Sequence, residues 1–134
     1  VNAPASLAPH LALRHGATTF LAGQLTGVEG YTESTATGLL AALNLRRVLR
    51  GEAPALPPTT TMLGALYRYL READPRHFQP MNANFGLVDD LPDPPRDKAL
   101  KRERIAERAL ADLAAWRDGV LGEAPVELPE PVAA

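Results

Sequence analysis

Three glycines, Gly23, Gly27 and Gly30, interrupt the stretch "FLAGQLTGVEGYTESTATGLLAALN" at residues 20–44, just ahead of apolar residues at helical spacing. Glycine lets a backbone approach a ligand closely, and a helix start presents N–H groups without intrahelical partners. A strand, a glycine turn and a helix in that order form a generic cradle for a nucleotide cofactor. The spacing, however, is not the dinucleotide fingerprint G-x-G-x-x-G, and no phosphate-loop lysine follows. Glu29 and Glu33 place negative charge where a phosphate needs positive potential. The pattern therefore argues against pyrophosphate and for a neutral or delocalised ligand edge, such as a heteroaromatic carbonyl accepting backbone N–H bonds. The same features also suit a tight strand-to-helix turn that holds nothing.

Two further segments carry usable chemistry. "FQPMNANFG", residues 78–86, interleaves Phe78 and Phe85 with the amides of Gln79, Asn82 and Asn84, and His77 precedes it. Amides donate and accept, so they can read heterocycle edges. Taken alone, such a loop is more simply read as turn-forming Asn and anchoring Phe. In "RDKALKRERIAER", residues 96–108, Arg96, Lys98, Lys101, Arg102, Arg104 and Arg108 outnumber Asp97, Glu103 and Glu107. A phosphate backbone could lie along that face. The plainer reading is a solvated helix with Glu103 paired to Lys98 and Arg102. The three histidines show no ligand spacing, so no metal site is expected.

The elements that must position these groups follow from periodicity and punctuation. "TTFLA", residues 18–22, reads as a short buried strand. A helix is expected over about 32–50, with Ala36, Leu39, Leu40, Leu43, Val48 and Leu49 apolar and Arg46, Arg47 and Arg50 loading the end before Gly51. "EAPALPPTT" is a surface linker, and a second helix follows the Thr59–Thr61 cluster with Leu63, Leu66, Tyr67 and Leu70 on one face, ending at Asp74–Pro75. Residues 76–97 are too rich in Pro, Asn and Asp for a regular element. A third helix, about 97–118, carries Leu100, Ile105, Ala109, Leu113 and Trp116 as its stripe, and 123–134 form an acidic, proline-spaced tail.

At 134 residues and 46% hydrophobic content, one domain of residues 1–122 or part of a larger one is expected. "VNAP" at the start reads like a domain interior. The net charge of −2 means that any nucleic-acid contact must be local. The chain has no cysteine, hence no disulfide, thiolate zinc site or cysteine nucleophile of its own. Neither a membrane span nor a signal peptide is visible, so a cytoplasmic location is expected.

"LAGQLTGVEGYTESTATGLLAALN" together with "DPRHFQPMNANFGL" resembles the C-terminal portion of the TrmFO family, folate- and FAD-dependent tRNA uracil-5-methyltransferases. The first motif is shared more loosely with GidA-type flavoproteins. "VEGY" and the second motif favour TrmFO. The resemblance implies an α/β, mostly helical piece of a two-domain, Rossmann-like flavoprotein: a strand, a glycine-rich turn and three helices. It implies methyl transfer from methylenetetrahydrofolate to the T-loop uridine of tRNA, with FAD and NADPH or NADH as further cofactors. The phosphate-binding fingerprint and the cysteines of such enzymes lie upstream of this region, so the isolated chain is expected to be inactive, with no catalytic residue assigned.

By the same resemblance, Gly23, Gln24, Gly27, Val28, Glu29, Gly30 and Tyr31 lie against the ribityl and ring part of FAD. His77, Gln79, Asn82 and Asn84 are substrate-side candidates. Lys98, Lys101, Arg102 and Arg104 are candidate contacts to the tRNA T-arm. The implied partners are that tRNA and the N-terminal part of the flavoprotein, with no membrane. The alternative is a free-standing helical module that binds tRNA or protein without catalysis.

Overall fold

A computed structural model describes residues 1–122. The elements run α1 (Ala3–Ser6), β1 (Ala12–Leu13), β2 (Gly16–Phe20), one 3-10 turn (Gly23–Thr26), α2 (Tyr31–Leu49), α3 (Met62–Glu72) and α4 (Lys98–Leu121). The acidic tail expected over 123–134 lies outside the described residues. The described residues are mostly helical, as the periodicity predicts, with four helices among them where three were expected.

The expected strand at 18–22 is corrected on two points. It runs from Gly16 to Phe20, and it is half of an antiparallel pair with Ala12–Leu13, whose register slips between those two residues. Nor is it buried, since Thr18 and Thr19 are exposed. A two-stranded ribbon covers only one side, so its β-branched residues face water on the other.

Capping explains the helix ends. Asn2 accepts the Ala5 N–H at the start of α1, and its amide donates to the Pro75 carbonyl at 2.7 Å, tying the start of α1 to the turn that follows α3. The Thr61 hydroxyl caps α3 by accepting from the Gly64 N–H at 3.0 Å, and Asp97 caps α4 by accepting from the Leu100 N–H at 2.7 Å. Helix α2 stops at Gly51, whose φ of 73° only glycine adopts cheaply.

The main core gathers Ala3, Leu7, Leu11, Val28, Leu40, Leu66, Tyr67 and Leu70 from α1, the hairpin, the glycine segment, α2 and α3. A second cluster of Ala65, Val88 and Ile105 seats α4 on the other side of α3. Two expected stripes are only partly used. Leu39 and Leu49 of α2 are 72% and 68% exposed, and in α4 only Ile105 is buried while Leu100 is exposed.

The 52–60 linker is not wholly superficial, since Ala55 and Pro57 are buried. Buried Asn44 clasps it, with Oδ1 accepting the Ala55 N–H at 2.7 Å and Nδ2 donating to the Ala55 carbonyl at 3.1 Å. Pro58 then passes so close to α3 that a Cβ on Gly64 would lie 1.9 Å from its carbonyl oxygen. Asn44→Ala strands both Ala55 groups away from water. It should cost about 2–3 kcal/mol of unfolding free energy, read as a lower urea midpoint at unchanged slope.

Candidate functional site

The chain leaves β2, makes the 3-10 turn, and reaches α2 through three glycines at positive φ: Gly23 at 63°, Gly27 at 87° and Gly30 at 99°. Residues with a Cβ pay for that region, so the three-glycine pattern is a backbone requirement. The segment is buttressed from below. The Gly23 N–H donates to the Thr37 hydroxyl at 3.0 Å, the Thr26 hydroxyl donates to the Gly23 carbonyl at 2.7 Å, and Val28 is fully buried. No side chain caps the start of α2. Beside that start is an open cleft of about 530 Å³ lined by Gln24, Gly30, Tyr31 and Ser34, and Tyr31 is 97% exposed.

The asparagine-rich loop comes to this turn. The Met81 N–H donates to the Gly27 carbonyl at 2.9 Å, and the Glu29 N–H donates to the Met81 carbonyl at 3.0 Å, forming an isolated parallel bridge at Val28 and Met81. Glu33, in the first turn of α2, accepts the Ala83 N–H at 3.3 Å. Phe78 packs on Gly27 so closely that a Cβ there would lie 2.6 Å from its ring. Phe78 also stacks on Tyr69 of α3 with centroids 5.7 Å apart, and the Tyr69 hydroxyl donates to the Gln79 carbonyl at 2.8 Å.

Of the sequence candidates, Gly27, Val28, Glu29 and Gly30 are thereby joined to the stretch containing Asn82. Asn84 spends its amide on its own turn, accepting from the Gly86 N–H at 2.9 Å and donating to the Asn82 carbonyl at 3.0 Å. His77 is exposed and sits 3.2 Å from the Asp74 carboxylate, which its neighbours Arg76 and His77 hold below the ordinary range. The exposed Gln79 bonds through its backbone to Tyr69, away from the glycines.

The basic helix is engaged differently from expectation. Among the described residues Glu103 makes no ion pair; Lys101 instead reaches Asp90 at 2.8 Å. Arg108 donates to the Asp89 and Asp90 carbonyls, while Arg68 of α3 holds both the Asp89 carboxylate and the Leu87 carbonyl. The Thr59 hydroxyl and the Arg68 guanidinium keep the Asp89 carboxyl below its ordinary value, and Lys101 does the same for Asp90. Arg102 lies 5.8 Å from the Phe85 ring centroid, and Lys98 and Arg104 are exposed. The Asp89–Asp90 pair escaped the sequence reading, although two adjacent acids inside a loop facing a basic helix were a visible signal. Among the described residues no group of His, Asp and Glu is placed to hold a metal, and no helix is long and apolar enough to cross a membrane.

Comparison with known sequences bears on this geometry. The family model for glucose inhibited division protein A matches residues 1–53, which take in the glycine turn and α2. Curated relatives match further. The methylenetetrahydrofolate–tRNA-(uracil-5-)-methyltransferase TrmFO of Brevibacillus brevis is 53% identical over 110 residues, 82% of this chain. The proteins of that name from Geobacter sulfurreducens and Pelobacter propionicus are 51% and 50% identical over 87% and 90% of it. A match of 90% necessarily takes in both the glycine turn and the asparagine loop. The chain belongs to the TrmFO family.

It spans about a quarter of the length of these TrmFO relatives, 25% and 26% for the first two. The two segments that carry the TrmFO resemblance, far apart in sequence, are thus the two that pair through Val28 and Met81.

Gly27→Ala must displace both the backbone and Phe78, so it should release the loop. Hydrogen exchange should show the Glu29 and Met81 amides losing at least about tenfold protection, with α3 amides little changed. Asp89, whose pKa is depressed, contributes stability that is present above the ordinary value of 3.8 and lost as pH falls through the lower folded value. Asp89→Asn should therefore be less stable than the parent at pH 7, and the gap between their urea midpoints should close in acid.

Proposed function

We propose that this chain forms the flavin-ring side of the cofactor site in a TrmFO-type tRNA uracil-5-methyltransferase, the phosphate-binding side being supplied by the N-terminal part of such a protein. One observation carries this reading. An uncapped 19-residue helix opens beside a cleft rimmed by Gln24, Gly30, Tyr31 and Ser34, with the Glu33 carboxylate packed against Gly30 at its edge. The donor set suits a ring edge better than a phosphate. It offers backbone N–H groups and the Gln24 amide, with Glu29 exposed nearby and no lysine.

In this reading the α2 N-terminus and the Gly30–Tyr31 backbone hold the pyrimidine edge of FAD, and Gln24 contacts its ribityl chain. The helix dipole there is partly offset by Glu33 in the first turn, so the site favours the delocalised charge of a reduced ring edge over the concentrated charge of a phosphate. When bound, the flavin would carry electrons from NADPH or NADH to the one-carbon unit of methylenetetrahydrofolate. The chain's own residues orient the ring and keep the asparagine loop beside it, with Asn82 the substrate-side group best placed to reach folate. The overall frame is that of a two-domain, Rossmann-like flavoprotein acting on the T-loop uridine of tRNA in the cytoplasm.

The exposed stripe of α2, Tyr31, Thr35, Leu39, Ala42, Arg46 and Leu49, offers three large apolar or aromatic side chains and one cation for packing on the remainder of that protein. The chain alone then lacks half of the site. Purified by itself it should carry no flavin absorbance, and tight FAD binding by the chain alone overturns the half-site assignment. In a full-length TrmFO protein bearing this segment, Gly30→Val should weaken FAD binding about tenfold, from left-handed strain and displacement of the Glu33 carboxylate that packs against Gly30. Unchanged flavin content would sink the cradle assignment.

A further inference from the structure

We propose that the cleft between the 84–90 loop and the first half of α4 seats one unpaired nucleotide of an RNA, its base stacked on Phe85 and its phosphates held by Lys98 and Arg102. This inference rests on the tRNA reading above and adds where, and how, the RNA is gripped.

The open cleft has a volume of about 510 Å³, and its lining includes Phe85, Asp90, Lys98, Lys101, Arg102 and Ile105. Phe85 is 40% exposed, an unusual position for a phenylalanine that has buried neighbours within reach. It is held outward by the turn it occupies. The Asn84 side chain accepts the Gly86 N–H at 2.9 Å, the Leu87 N–H donates to the Asn84 carbonyl at 3.1 Å, and Arg68 fixes the Leu87 carbonyl. The ring is therefore presented on a fixed turn, and Val88 and Ile105, both buried, give the cleft an apolar floor.

Charge in the cleft is arranged to favour an anion despite two nearby carboxylates. Asp90 is matched by Lys101, and Asp89 by Arg68. Among the described residues Lys98 and Arg102 have no carboxylate partner. At about 3.6 residues per turn, Lys98, Lys101, Arg102 and Ile105 share one face of α4 while Glu103 and Glu107 fall on the opposite one. Arg104 lies off this face and is not part of the cleft lining.

The Arg102 guanidinium lies over the Phe85 ring, 5.8 Å from its centroid. A base that stacks on that face displaces it toward the phosphates, beside the ammonium of Lys98, and such a set of groups grips single-stranded RNA. Every base offers a π-face to the ring, and the cations track the backbone. A duplex hides its base faces, so the geometry selects an unpaired base. A bare phosphate would make no use of Phe85. Lys101 is committed to Asp90, so its removal would loosen the loop as well as the RNA and makes a poor probe.

The test titrates the 134-residue chain with a fluorescent T-arm stem–loop RNA and, separately, with a blunt duplex of the same stem. Phe85→Leu, checked for folding by circular dichroism, should weaken the stem–loop about 5- to 100-fold, leaving the duplex affinity and the salt slope unchanged. Phe85→Trp should restore stem–loop binding. Arg102→Ala should weaken both RNAs and lower the log–log salt slope by about one. A stem–loop carrying a photoreactive loop uridine should crosslink the unmodified chain at Phe85, which requires no variant. Stem–loop affinity unchanged in Phe85→Leu, or a crosslink confined to other residues, overturns the stacking seat while leaving the tRNA reading in place. If the unmodified chain binds neither RNA, the tRNA reading of the isolated chain fails, and the seat with it.

Discussion

The exchange of two backbone hydrogen bonds between Gly27, Glu29 and Met81 is the constraint on which the site depends. It is the only place where the long irregular segment after α3 acquires a β-type partner among the described residues. To offer its carbonyl and N–H sideways, the 27–29 stretch must be extended. The turn before it and the helix after it then need abrupt reversals, which Gly27 and Gly30 supply at positive φ. Val28, between them, points inward and is fully buried, so hydrophobic burial and backbone pairing stabilise the same conformation.

The loop is held at its two ends by different physics. Near residue 81 the restraint is backbone pairing together with the Phe78 ring pressed on Gly27, which is insensitive to charge. Near residues 87–90 it is ionic, with Arg68, Lys101 and Arg108 converging on two adjacent aspartates and their carbonyls. These groups are partly exposed, so each pair is individually weak. Their value lies in fixing direction, because a guanidinium that bonds both a carboxylate and a carbonyl admits one orientation. Between the two restraints lies the Asn84–Phe85–Gly86 turn, which is free to face outward because both of its flanks are anchored.

Local signals carried most of the fold. Thr61, Asp97 and Gly51 mark helix ends by their own chemistry, and a residue's cap is decided within a few positions of it. What escaped was non-local. Ala12–Leu13 is too short to show a period, so the hairpin partner of β2 could not be read. Periodicity identifies the apolar residues of α2 but does not say which of them this chain covers, and Leu39 and Leu49 stay exposed. Glu33 was read as an obstacle to phosphate, whereas its carboxylate accepts the Ala83 N–H fifty positions away. The cations of α4 were expected to pair along the helix, yet the aspartates that engage Lys101 and Arg108 belong to the preceding loop. The glycines themselves were legible because positive φ is a property of the residue and not of its partners.

The open cleft and the bare stripe of α2 meet at Tyr31, and this has an energetic consequence for the proposed half-site. A surface carrying Leu25, Tyr31, Leu39 and Leu49 in the open gains from being covered, at roughly 25 cal/mol per Å² of apolar area removed from water. If the remainder of a TrmFO-type protein covers that stripe, it also closes one wall of the cleft, because Tyr31 belongs to both. Cofactor and covering segment then bind adjoining surfaces that meet at Tyr31, and each helps fix the Tyr31 ring for the other. Binding of one lowers the ordering cost of the other, so the two affinities are linked reciprocally. A flavin site divided in this way requires no strong intrinsic affinity in either half, which is consistent with a turn built from glycine backbone and a single amide, without any lysine.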